Sequence, residues 1–136
     1  MSVNDTQIGG GHYIKNKYQH WDYVIDTNLH YLLSCATKYI ARWRDKNGIE
    51  DLQKPIHYLE KAEESGVFTR GKQDTNLMFR TEEFCNQLND DDAMVIRLIV
   101  TNKYTEAKHQ IKSLIEHAEE DQFQAEICFA KGRDGV

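Results

Sequence analysis

The segment NLHYLLSCATKYIARW, residues 28–43, is followed by RDKNG at 44–48 and by IEDLQKPIHYLEKAEESG at 49–66. Leu32, Leu33, Ala36, Tyr39, Ile40 and Trp43 recur at spacings of three and four, which is the period of an amphipathic helix. Basic residues in the last turn and Gly48 beyond it mark a helix stop. Glu50 and Asp51 suit the positive end of a second helix over Ile49–Glu64, and Ser65-Gly66 ends it. Pro55 lies inside that span, so the helix is expected either to start late or to bend there. Two helices joined by so short a turn make a hairpin.

Outward from this hairpin the same period continues. A short helix is expected near His20–Thr27. In the second half, Asn89-Asp90-Asp91-Asp92 forms a cap-like cluster before AMVIRLIV, and Tyr104, Ala107, Ile111, Leu114, Ile115 and Ala118 trace another amphipathic helix. A further short helix is placed near Glu82–Leu88, and AEICFA near the end fits helix or strand equally. With one proline and no NG or DG hairpin between alternating runs, the reading is all-α: a small bundle of five to six helices whose first-half hairpin carries the ligand site. The expected organisation is an N-terminal stretch 1–10, a helical region 11–64, a hinge at 65–75, a second helical region 76–122 and a tail 123–136, all in one domain.

The chain has 136 residues, with 17 Lys and Arg against 22 Asp and Glu, a net charge of −5. That balance argues against coating nucleic acid by bulk positive charge. No apolar run reaches 18 residues, and the opening MSVNDTQIGGG has neither a basic nor an apolar region, so no membrane is expected and the location is expected to be cytoplasmic. Three cysteines without a CxxC spacing fit reduced core thiols. The excess acid is uneven: residues 1–64 carry a net −1 and residues 65–136 a net −4. Eight of nine Tyr and Trp precede residue 59. The first half is therefore nearly neutral and rich in the amphipathic rings that favour ligand contact.

At about 100° per residue, Lys38 and Arg42 share one helix face beside Tyr31 and Cys35. Asp51, Lys54 and Tyr58 share a stripe of the next helix. Paired antiparallel, the two helices bring Lys38, Arg42, Lys46 and Lys54 together with Asp51, a set suited to a phosphate-bearing ligand because Arg binds oxyanions through its fork and Lys as a point charge. Solvated salt bridges on two helices account for the same spacing. Gly9-Gly10-Gly11-His12-Tyr13 matches neither GxxxxGK[ST] nor GxGxxG, although its glycines let backbone N–H groups and His12 approach an anion. Glu60-x-x-Glu63 and Glu116-x-x-Glu119 lack the second acidic motif that helical pyrophosphohydrolases use for magnesium.

His12-Tyr13, Lys38-Tyr39-Ile40-Ala41-Arg42, Lys46-Asn47-Gly48 and Glu50-Asp51-Leu52-Gln53-Lys54-Pro55-Ile56-His57-Tyr58-Leu59 occur in that order. Together they resemble the HY, KYxxR, KxG and EDLxKAxxYL motifs of the small domain of tailed-bacteriophage nucleotide-kinase-like proteins, some of which are described as deoxynucleoside monophosphate kinases. The resemblance covers about residues 11–64 and departs at Pro55, where the family has Ala. It implies a nucleotide site of His12, Tyr13, Lys38, Arg42, Lys46, Asp51, Lys54 and Tyr58. In the kinase reading Lys38, Arg42 and Asp51 are catalytic: the cations neutralise the transferred charge and Asp51 orients the acceptor or a Mg²⁺ ion accompanying a nucleoside triphosphate. His12 is a candidate phosphate donor or proton shuttle. Holding two nucleotides in so small a site implies a homo-oligomer with shared sites. The alternative keeps the pocket without catalysis, as a protein that sequesters a nucleotide used in host defence signalling. A third reading is an oligomeric or partner-binding helical protein. Residues 65–136 are expected to build an oligomer interface, cover the site or contact a host protein.

Overall fold

A computed structural model describes residues 17–134. Among them are six α-helices and no strand: α1 His20–Thr27, α2 Tyr31–Arg42, α3 Ile49–Glu64, α4 Thr75–Cys85, α5 Asp90–Val100 and α6 Tyr104–Asp134. The all-α bundle of five to six helices is the observed class. No helix among the described residues is long and apolar enough to cross a membrane.

Local chemistry sets the boundaries. Asn28 ends α1 in the left-handed region at φ 51°, a conformation that Asn tolerates better than most residues. The His30 Nδ1 accepts from the Leu32 amide at 3.1 Å and caps α2. Asp74 and Asn89 cap α4 and α5 by accepting from Leu77 N and Asp91 N, each at 3.0 Å. Between α2 and α3 a single 3₁₀ turn, Trp43–Asp45, leads to Gly48 at φ 59°, ψ −129°. That backbone region is essentially closed to residues with a Cβ, so this glycine makes the tight hairpin possible.

Helix α3 starts at Ile49 and runs through Pro55 to Glu64. It does not start late. The missing proline N–H removes the helical donor to the Asp51 carbonyl, and burial of Pro55 together with Leu52, Leu59 and Ala62 offsets that loss. The α4 helix begins seven residues before the expected Glu82 start because Asp74 supplies an N-cap that the periodicity did not reveal. AEICFA resolves as helix, a continuation of α6 rather than a separate tail.

Leu33, Ile40, Leu52, Leu59, Ile96, Ile99 and Ile111 are fully buried and form the centre of the core from α2, α3, α5 and α6. The most extensive packing is α2 along α3, with α3 also against α6 and α2 against α5. A second aromatic layer joins α1 to α4, where Tyr23 and Phe84 stack at 5.0 Å and the Tyr23 hydroxyl lies 2.7 Å from Thr81 Oγ1. The expected hinge is tied to the α5–α6 turn. Thr69 N donates to Asn102 Oδ1 at 2.8 Å, Asn102 Nδ2 returns to Thr69 O at 3.0 Å, and the Tyr104 hydroxyl donates to Val67 O at 2.6 Å.

Two side-chain expectations change. Thr37, not Tyr39, completes the buried face of α2, its hydroxyl donating to Leu33 O at 2.9 Å so that a polar group is satisfied inside. Of the cysteines only Cys85 is buried, Cys35 is half-buried and Cys128 exposed.

Candidate functional site

Contacts along α2 and α3 run from Arg42 to Asp51, from Tyr39 to Lys54 and from Tyr39 to Tyr58, which is an antiparallel register. That register builds a cationic face around one ring. Arg42 Cζ lies 4.7 Å, Lys54 Nζ 4.9 Å and Lys38 Nζ 5.2 Å from the centroid of Tyr39, all within cation–π range. Tyr58 stacks beside Tyr39 at 5.9 Å and 20°. Tyr39 sits one residue after Lys38 and three before Arg42, so a single helical turn presents both cations to it.

Beneath these cations lies Asp51, with no exposed surface. Its Oδ1 accepts from Lys54 Nζ at 3.3 Å and from Asn47 Nδ2 at 3.3 Å, and its Oδ2 accepts from the Asn47 amide at 3.4 Å and ion-pairs with Arg42 Nε at 3.3 Å. Desolvation pushes this carboxyl upward, but the hydrogen bonds from Asn47 and Lys54 and the Arg42 charge outweigh it and hold Asp51 below the ordinary carboxylate range. Asp51 is therefore ionised at neutral pH and fixes both cations and the turn. It touches no solvent, so it positions Arg42 and Lys54 rather than meeting a ligand itself.

Lys38 differs. It forms no ion pair among the described residues. On the preceding residue Thr37, the Oγ1 lies 2.8 Å from His20 Nε2. Burial, reinforced by the Lys38 charge, pushes His20 down to about 4 and keeps it neutral. At the other end of the face, burial followed by the neighbouring Cys35 and Tyr39 raises Tyr58 to about 12. Hydrogen bonding with Cys35 is the first cause that raises Tyr31. Both phenols are neutral at pH 7 and present apolar rings with a donor.

Of the residues expected in the site, Lys38, Arg42, Asp51, Lys54 and Tyr58 are brought together. Lys46 is exposed on the turn after Asp45. His12 and Tyr13 lie outside the described residues. Tyr39, Asn47 and His20 were missed. The apolar period places Tyr39 on the core face, and the signal that finds it is a ring flanked at −1 and +3 by cations. Asn47 carries the clearer signal, a turn amide four residues before a first-turn carboxylate.

The carboxylate chemistry does not fit a resident Mg²⁺. Both Asp51 oxygens are engaged inside the protein, and the described residues contain no group of three or more His, Cys, Asp or Glu side chains able to hold a metal. A groove of about 530 Å³ elsewhere, between α4 and α5, is lined by Met78, Met94, Leu98 and Val100 with Lys72 and Lys103 at its edge. It shares no residue with the α2–α3 face. Thr81, Glu82, Asp90, Arg97 and Thr101 complete its lining, and Arg97 is held by Glu82 at 2.7 and 3.0 Å, so its cations are set among carboxylates and the α2–α3 face remains the candidate for an anionic ligand. No protein-family model, curated protein or solved structure matches the chain.

Proposed function

We propose that the α2–α3 face binds the phosphates of a nucleotide, with a deoxynucleoside monophosphate as the preferred class. The observation that carries this reading is the gathering of three cations within about 5 Å of one Tyr ring over a single sealed carboxylate. Among the described residues these three cations face a single carboxylate, in a chain that is acidic overall. Lys38 and Lys54 hold phosphate oxygens, the Arg42 charge adds to their attraction, and Tyr31 and Tyr58 offer stacking surfaces to the base.

Phosphoryl transfer from a nucleoside triphosphate is the activity that the resemblance to the phage nucleotide-kinase-like proteins adds. In that reaction this chain's cations neutralise charge on the moving phosphoryl group and align donor with acceptor, work that is electrostatic and needs no P-loop. A Mg²⁺ ion carried by the triphosphate would neutralise part of its charge without a ligand from Asp51. The sealed state of Asp51 favours a second reading, sequestration without turnover, because no carboxylate of the face is free to accept the acceptor's proton.

Calorimetric titration with deoxynucleoside monophosphates, followed by chromatographic assay with a triphosphate present, separates these readings. Saturable binding with product supports the kinase; binding without product supports sequestration. Absence of binding to every nucleotide overturns both.

A further inference from the structure

Helix α6 extends beyond what the fold uses. Tyr104, Ala107, Ile111 and Leu114 are buried, and Ala118 is the last residue packed against the core. The helix nonetheless continues to Asp134. From 119 to 131 every residue except the half-buried Ile127 is exposed. A helix so largely exposed over that length is marginal unless one face packs against something, because helices in proteins draw most of their stability from tertiary contact.

Charge along α6 indicates what that contact is. Residues 103–112 hold three lysines and one carboxylate, whereas residues 114–126 hold five carboxylates and no Lys or Arg. Lys108, Lys112, Glu119 and Glu126 form no ion pair among the described residues. Spacings of 11 and 18 close nearly whole turns, so these four lie within about 40° of one another, roughly 90° round the helix from the core stripe. A helix that begins basic and continues acidic is complementary to itself when reversed.

We propose that two copies of the chain pair through antiparallel α6 helices about a two-fold axis near Glu116. Lys112 faces Glu119 of the second copy, Lys108 faces its Glu126, and each pair is made twice by symmetry. Residues 105–127 overlap over about 33 Å at 1.5 Å per residue. Phe123, 58% exposed and beside the stripe, is covered by the first turns of the second copy's α6. A parallel pairing sets acid on acid and is disfavoured.

Sedimentation equilibrium of the full chain at about 50 mM and about 1 M NaCl tests the pairing. The expected result is a species of twice the 15.9 kDa chain mass at low salt that weakens at high salt. Lys112→Glu is expected to weaken the dimer about tenfold or more, and Lys112→Glu combined with Glu119→Lys to restore it. Both positions are exposed, so an unchanged circular dichroism spectrum verifies that the variants fold. A chain that stays monomeric at low salt overturns the proposal, as does a dimer indifferent to Lys112→Glu or a double variant that is not rescued.

Discussion

Asp51 and Asp92 are both buried carboxylates facing arginine, yet they do different work. Asp92, in the first turn of α5, accepts from Trp43 Nε1 at 3.0 Å and from Arg44 Nε and Nη2 at 2.9 and 3.3 Å. One cation meets one carboxylate in a fork, Arg44 also covers the Trp43 ring at 4.3 Å, and the node ties the α2–α3 hairpin to α5. Around Asp51, three cations converge on one ring while the carboxylate engages two of them. One cation matched to one carboxylate makes a structural joint, whereas several cations around one sealed acid make the face that the proposed function assigns to an anion.

The largest expected effect falls on the acids themselves. Asp51→Ala leaves Arg42 and Lys54 without their counter-charge and is expected to cost about 3–5 kcal/mol of folding stability. Asp92→Ala is expected to cost less, about 2–3 kcal/mol, because Arg44 is 40% exposed and regains water, leaving chiefly the unsatisfied Trp43 N–H. Urea unfolding of the two variants gives the order, and a reversed order breaks the contrast.

An intermediate effect concerns pH. His20 falls from 6.5 in the unfolded chain to about 4 in the fold, so the unfolded chain binds the extra proton between those values. The neutral-His20 contribution is fully present above pH 6.5 and is lost as pH falls from 6.5 through about 4, amounting to about 3 kcal/mol at most. Asp51, held below its ordinary value, loses its contribution only at still lower pH. Urea midpoints between pH 7.5 and 4 are expected to decline in the native chain and to flatten in His20→Gln; a flat native profile contradicts the buried neutral imidazole.

Much of this architecture is legible from spacing alone. The hairpin follows from Leu33, Ala36 and Ile40 at helical period, and its turn from Gly48. The co-location of Lys38, Arg42, Lys54 and Asp51 follows from the antiparallel pairing that so short a turn imposes. Depth is not legible in the same way. Asp51 and Tyr39 are each polar residues on an amphipathic helix, and nothing in the period tells that the acid is sealed while the ring opens to the cations. That assignment depends on Asn47 folding back over the carboxylate, a contact of the turn rather than of either helix. Likewise Asp92 reads as one of three cap acids, and only tertiary packing selects it as the partner of Trp43 and Arg44.

The smallest expected effect on folding is the most informative about function. Lys38→Ala removes a cation that serves no ion pair among the described residues, so its stability change is expected to stay within about 0.5 kcal/mol. Its effect on a bound phosphate is expected to be large, since a charge-assisted hydrogen bond contributes about 1.5–3 kcal/mol, or roughly ten- to a hundredfold in affinity. The decisive measurement is therefore calorimetric titration of the native chain, Lys38→Ala and Arg44→Ala with the same deoxynucleoside monophosphate. The cationic-face account predicts saturable binding that Lys38→Ala weakens at least about tenfold and Arg44→Ala leaves unchanged. Equal affinity in all three proteins, or no binding by the native chain, contradicts it.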